Sequence, residues 1–159
     1  MSTHQGQELG LAHSEIEWLI LADEAEVVNG KLYMMGGGWD RITAQTLPWK
    51  QHMAIALAVR VPWTDTNRQT SVGIDLTDED GTLLVDVKGE FVVGRPAQAV
   101  PGQPLRSQIA IKMDALLPKL GTYAVICRLH GDETTFPFNV VASPELAQQL
   151  QSQADTNPS

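Results

Sequence analysis

From Met53 to Val61 the chain alternates with period two. Met53, Ile55, Leu57, Val59 and Val61 fall on one side, and Ala54, Ala56, Ala58 and Arg60 on the other. A helix would scatter these residues around its axis, so the stretch predicts a strand with one bulky face and one flat, small-residue face. The same period returns in Val72, Ile74 and Leu76, then in Leu83, Val85 and Val87 after the acidic turn DEDG. It returns again in Ile109, Ile111 and Met113, in Tyr123, Val125, Cys127 and Leu129, and in Phe136, Phe138 and Val140 after HGDE. Strands this close together leave no room for crossover helices. They predict an all-β fold, an antiparallel β-sandwich of Greek-key, immunoglobulin-like architecture. The Gly-x-Tyr of LLPKLGTY, at the start of a strand after a Leu-Pro corner, is the pattern of a tyrosine corner in such sandwiches.

Only the end of the chain reads as helix. Ser143 supplies an N-cap, Pro144 the first helical position and Glu145 an early acid, ahead of a thin stripe of Leu146, Ala147 and Leu150. The expected organisation is a polar N-terminal tail over 1–14, a sandwich domain over 15–142, a short helix over 143–154 and a tail over 155–159. Both tails are too polar to bury enough surface to order themselves.

Asn29-Gly30 is a two-residue hairpin signal between IEWLILADEAEVV and KLYMMGGGWDRIT. Counting back from it pairs Val28 with Lys31 and Val27 with Leu32, and sets Gly36, Gly37 and Gly38 opposite Asp23, Ala22 and Leu21. The triple glycine therefore lies inside a strand. A phosphate loop would need a helix after it, with Lys-Ser/Thr or a further spaced glycine, whereas Trp39-Asp40-Arg41-Ile42 alternates as a strand does. The glycines read instead as a bend or bulge, where another chain or a ring can lie close on bare backbone.

Composition narrows the function. With 159 residues and 43% hydrophobic content, one domain can form a core without disulfides or a structural metal. A net charge of -8 argues against nucleic acid and anionic membrane as partners, since both are held by basic residues. The apolar runs are far too short for a membrane helix, the start lacks a signal-peptide pattern, and one cysteine cannot form an internal disulfide. A cytoplasmic setting follows as the expectation.

No catalytic constellation stands out. Cys127 lies on the apolar face of a strand and reads as core, and the acidic turn from Asp75 to Asp80 reads as a solvated hairpin, not a calcium loop. The histidines at 4, 13, 52 and 130 have no metal spacing, so neither a metal nor a cofactor is expected, although His52 and His130 at strand ends could meet in space. An enzyme reading would need Asp23, Glu24, Asp40 and His52 to converge near the hairpin. A pocket between the sheets, lined by Trp18, Tyr33, Trp39 and the methionines, would make the chain a small-ligand binder. The reading preferred is a non-catalytic interaction module whose partner is another protein or a second copy of itself. Its candidate contacts are Trp39, Trp49 and Trp63, with Asp40 and Arg41, because tryptophans at strand ends are hard to bury and common at hot spots. The alanine stripe reads as a surface for a second layer, with the terminal helix the candidate to cover it, or else as an interface.

The segment LILADEAEVVNGKLYMMGGGWDRI, with VPW and DEDG downstream, resembles a family of short bacterial proteins known only as a domain of unknown function. The match is strongest over residues 16–44 and extends over most of 16–141. The resemblance implies a compact β-rich domain and transfers no site.

Overall fold

The structure, a computed structural model, describes residues 13–156. The long alternating runs become strands: β1 Glu15–Val28, β2 Lys31–Gly37, β3 Arg41–Ala44, β4 Trp49–Val61, β5 Gln69–Asp78, β6 Leu83–Val92, β7 Leu105–Leu117, β8 Gly121–Leu129 and β9 Asp132–Ala142. One helix follows, α1 Pro144–Thr156. The strands form two sheets, ordered β2-β1-β4-β7 and β3-β9-β8-β5-β6. The chain crosses between the sheets repeatedly, and the two pack face to face as a β-sandwich. Pairing is antiparallel except between β3 and β9, which run parallel.

The alternation of β4 is the axis of the molecule. Met53, Ile55, Leu57, Val59 and Val61 are wholly buried against Ile74, Leu76, Val125, Cys127 and Leu129 of the facing sheet. Tyr123 closes the β7–β8 corner as its sequence context predicts. Its hydroxyl donates to the Lys119 carbonyl at 2.6 Å and accepts from the Lys119 N–H at 3.2 Å, and its ring stacks on Phe138. A buried phenol thus gains both a packing partner and a satisfied hydroxyl.

The expected boundaries shift slightly. Ser14, assigned to a tail, is fully buried and donates to Asp65 Oδ2 through its N–H at 3.1 Å and its hydroxyl at 3.3 Å. At the other end α1 runs through Asp155 and Thr156, two residues into the expected tail. Residues 1–12 and 157–159 of the two tails lie outside the described residues. Ser143 does cap α1, its hydroxyl accepting the Leu146 N–H at 3.1 Å, but only Leu146 is buried and the remaining turns project from the sandwich.

The alanine face of β4 is covered, and not by that helix. The β1–β2 hairpin bends back across the outside of its own sheet. Ala25 and Leu32 of the hairpin pack with Ala54 and Ala56, beside Trp18 and Ala110, while the carbonyl of Gly30 at the tip accepts from Gln108 Nε2 of β7 at 3.0 Å. β7 lies two strands away from β1 in the sheet, so the tip reaches it only by folding over β4. Methyl side chains are what permit this. Any longer residue at 54 or 56 would hold the hairpin off the floor.

The glycines sit where the chain turns into that fold. The register is the one counted from Asn29-Gly30, with Val28 opposite Lys31, Val27 opposite Leu32 and Ala22 opposite Gly37, and the Gly38 N–H donates to the Leu21 carbonyl at 2.8 Å. Gly36 has φ 61° and Gly38 φ 91°, conformations that a β-branched residue resists. At Gly36 a side chain would also run into the Asp23 carboxylate. The triplet is a bend in the returning arm.

Candidate functional site

The residues singled out in the sequence do not form one site. Trp49 and Trp63 stand at opposite ends of β4, roughly 40 Å apart along a strand of that length. All three tryptophans are half-buried. Trp39 meets Phe138 edge-on at 6.0 Å between centroids. Trp49 donates Nε1 to Gln51 Oε1 at 2.9 Å. Trp63 lies under the Arg95 guanidinium, 3.9 Å from its ring centre. Trp39 and Trp49 pack against the margin of the core between the sheets. Trp39 Nε1 is buried without a hydrogen-bond partner. Asp40 and Arg41 are exposed beside it; the Asp40 carbonyl accepts the Asn139 N–H at 2.9 Å, which starts the β3–β9 pairing.

The residues proposed to line a pocket between the sheets separate too. Trp18 rests on the alanine floor and Trp39 on Phe138, while Tyr33 and Met35 are 58% and 74% exposed on the hairpin. Between the sheets the space is filled by the core side chains. A trough of about 970 Å³ lies elsewhere, on the outer face of the five-stranded sheet, with Ser71 and Gly73 of β5 as floor and Lys88 and Arg128 as walls. Several of its polar groups are already engaged: Arg128 binds Asp75 and Glu133, Gln69 binds Glu90, and Lys88 lies 4.0 Å from Asp86. His130 lines this trough, whereas His52 faces outward on the other sheet, so the two histidines do not meet.

Of the four residues in the enzyme reading, two come together. Glu24 Oε2 lies 3.1 Å from His52 Nε2, and Asp114 Oδ1 lies 2.8 Å from His52 Nδ1. Lys112 Nζ stands 3.2 Å from Glu24 Oε1; that oxygen has no hydrogen bond of proper angle and is held by charge alone. Asp114 and its hydrogen bond raise the His52 pKa, with Glu24 adding to the effect, while Lys112 and then His52 lower that of Glu24. Asp23 turns toward Gly36, and neither it nor Asp40 bonds to the cluster among the described residues. Asp114 and Lys112 were invisible in the sequence. They sit 60 or more positions from His52 and meet it only through the β4–β7 register, in which His52 faces Asp114 and Ala54 faces Lys112. The cluster ties the hairpin to the sheet.

Cys127 is buried on the core face of β8, and burial with the nearby Asp132 charge pushes its thiol up to about 11. Such a thiol stays protonated and inert. Among the described residues no group of three His, Cys, Asp or Glu side chains could hold a metal ion, and no helix is long and apolar enough to cross a membrane.

Exposed apolar side chains gather on the hairpin: Tyr33 and Met35 share one face of β2 with Val28 across the turn, and Met34 lies on the other face. β2 is the last strand of its sheet, and nothing among the described residues pairs with its outer edge. In a two-residue hairpin the hydrogen-bonded rungs are Val28–Lys31, Glu26–Tyr33 and Glu24–Met35. The backbone groups of Leu32 and Met34 therefore point outward and unpaired, up to the bend at Gly36. Natural edge strands are usually short, charged or covered. This one carries a single charge, Lys31.

The molecule is thus a small β-sandwich with a hairpin laid over one outer face. The chain belongs to the family of unknown function DUF6941, whose profile matches residues 17–141. No curated protein matches the sequence. Solved structures with a similar course include a glycosyl hydrolase family 2 member from Bacteroides cellulosilyticus DSM 14838, at 11% identity and a TM-score of 0.49 over 79% of this chain and 15% of that one. A β-glucuronidase of the same hydrolase family gives 10% identity and a TM-score of 0.49 over 80% and 12%. The C-terminal domain of wzt gives 13% and 0.43 over 82% and 75%. The chain spans less than a sixth of the two hydrolases it resembles.

Proposed function

We propose that this chain is a non-catalytic interaction module that docks another protein along the free edge of β2. The observation that carries the reading is the exposed pair Tyr33 and Met35 on an edge strand that nothing among the described residues pairs. An open edge offers main-chain hydrogen bonds to an extended segment, and alternate side chains give it selectivity. Tyrosine and methionine are among the residues enriched at interfaces. The contact thus moves from the three tryptophans, each half-buried, to the arm that precedes Trp39, with Asp40 and Arg41 at its margin. The acidic surface supports a protein partner over nucleic acid or membrane, and the inert, buried Cys127 suits a cytoplasmic protein. The Tyr123 corner supports an immunoglobulin-like reading of the sandwich.

The test is capture from the native host with the full chain and with a Tyr33→Lys, Met35→Lys variant. Both side chains point to solvent, so the fold should keep its circular dichroism and thermal midpoint. Loss of specific partners with an intact fold supports the assignment. Unchanged capture refutes it. A small-ligand reading would place the ligand in the trough over Gly73, and unchanged intrinsic fluorescence and melting across a panel of polar metabolites would remove it.

A further inference from the structure

The tip of the β1–β2 hairpin holds a reactive pair. Asn29 and Gly30 are both exposed. The ladder ends at Val28–Lys31, and among the described residues neither the Asn29 carboxamide nor the Gly30 N–H has a hydrogen-bond partner. Gly30 has no side chain, with open space where one would stand, so nothing shields its nitrogen. An asparagine carboxamide beside a free, unhindered peptide nitrogen can close on it as a succinimide. The similar tip of the β5–β6 hairpin is tied down: the Gly81 N–H donates to the Asp78 carbonyl at 3.0 Å, and the Asp80 carboxylate accepts from Lys119 Nζ at 2.9 Å. The other asparagines are hindered. Arg68 follows Asn67, Val140 follows Asn139, and Asn157 precedes Pro158, whose nitrogen has no proton to lose.

We propose that Asn29 is a self-modification site, at which the chain deamidates its own hairpin tip and thereby releases the fold-back. The Gly30 nitrogen gives up its proton and attacks Asn29 Cγ; the N–Cγ bond forms, the Cγ–Nδ2 bond breaks, and ammonia leaves with that proton. Water then opens the succinimide. Cleavage of the new N–Cγ bond leaves an aspartate at position 29, while cleavage at the backbone carbonyl leaves an isoaspartate, with the main chain rerouted through Cβ and Cγ. Either product adds one negative charge, and the loss of ammonia makes the change permanent within the chain.

The fold controls both the start and the outcome. Ring closure requires the Asn29 side chain to swing over the Gly30 nitrogen, but the closed turn holds Asn29 at φ 52°, so attack waits for the tip to open. Two ties resist opening, the Val28–Lys31 rung and the bond from Gln108 Nε2 to the Gly30 carbonyl at 3.0 Å. An ordinary aspartate before glycine still makes the two-residue turn. Isoaspartate does not, because its extra backbone carbon displaces the rung and moves the Gly30 carbonyl off Gln108. The hairpin then loses its tie to β7 and lifts from Ala54 and Ala56. This release does not depend on what β2 binds.

The test is incubation of the purified full chain at physiological temperature and mildly alkaline pH, followed by peptide mapping with mass spectrometry. The amide-to-acid mass change should appear at Asn29 before Asn67 or Asn139, and isoaspartyl methyltransferase should label the same peptide. Gln108→Ala should speed conversion about fivefold, the worth of one ordinary hydrogen bond, and should have no effect once the chain is denatured. In the converted fraction, amide exchange over residues 24–37 should accelerate while β4 and β7 keep their protection. Asn29→Gly retains a turn-forming pair without a carboxamide, so its hairpin should come through the same incubation unchanged. Conversion no faster at Asn29 than at Asn67 overturns the proposal. So does a Gln108→Ala rate equal to that of the unmodified chain, or a converted hairpin as well protected as a fresh one.

Discussion

β4 is buried on both of its faces, by two different means. Toward the sandwich interior, Met53, Ile55, Leu57, Val59 and Val61 interlock with large side chains of the facing sheet. Toward the outside, Ala54 and Ala56 lie under the hairpin with little more than Ala25, Leu32, Ala110 and Trp18 for company. The first face is held by bulk. The second is held by the absence of bulk, together with a few polar ties: Gln108 to the Gly30 carbonyl, Lys112 to Glu24, and His52 between Glu24 and Asp114. Full burial therefore means different things on one strand. The inner face stores the stability of the domain, and the outer face governs one movable element.

The largest effect that would test this contrast comes from the inner face. Leu57→Ala leaves a cavity where relaxation is blocked on all sides and should cost about 3 kcal/mol of global stability, within a usual range of roughly 2–5. Chemical denaturation should show a lower midpoint with unchanged cooperativity. A loss under ~1 kcal/mol would mean that the two sheets are not rigidly packed.

Gly36→Val comes next, at roughly 1–3 kcal/mol, because it forces a β-branched residue to φ 61° against the Asp23 carboxylate. Gly37 is more tolerant: its φ is ordinary, and a side chain there would meet only the flexible end of Met34. If Gly37→Val proves worse than Gly36→Val, the bend has been placed at the wrong glycine.

Ala56→Leu is the direct test of the outer face. Overpacking costs about 1–3 kcal/mol where nothing can move, but here the hairpin can lift. Amide exchange over residues 24–37 should accelerate while the sandwich strands keep their protection. A uniform loss of protection would show that hairpin and sandwich unfold as one unit.

Much of this was legible in the sequence, for physical reasons that also mark where legibility stopped. Alternation in β4, β5 and β8 encodes which side faces the core, and Asn29-Gly30 sets the β1–β2 register to the residue. The tyrosine corner and the Ser143 cap are local chemistry carried within a few residues. The fold-back of the hairpin is different. It depends on Ala54, Ala56 and Ala110 coming side by side, which is a matter of register between strands more than 50 positions apart. The alanines announced a close approach, but nothing in them named the hairpin over the helix as the element that approaches. Likewise His52 was visible as a strand-end histidine, while Asp114 and Lys112 became its neighbours only through β4–β7 pairing. The tryptophans, spaced as three strand-end aromatics in one dimension, have separate neighbours in three: Phe138 for Trp39, Gln51 for Trp49 and Arg95 for Trp63.

The smallest effect is the one that isolates the polar ties. Both ring nitrogens of His52 face carboxylates, Asp114 on one side and Glu24 on the other, with Lys112 beside Glu24. Only the imidazolium can donate to both. Because the folded His52 pKa is raised, its stabilisation is fully present below the ordinary value of 6.5 and disappears as pH rises through the folded value. Glu24, whose pKa is lowered, acts in the opposite sense: its contribution holds above 4.5 and is lost as pH falls through the depressed value. The hairpin should thus be tightest in a mildly acidic window and loosen above it, with β4 and β7 untouched. Amide exchange at residues 24–37, corrected for intrinsic pH dependence, should reveal this, and His52→Gln should flatten the alkaline side of the profile while leaving the acid side that Glu24 controls. Both groups are half-exposed, so screening keeps the effect small and added salt should diminish it. If His52→Gln leaves the alkaline loosening intact, the hairpin is held by the alanine floor and the Gln108 bond alone, and the outer face resembles the inner one more closely than its polar ties suggest.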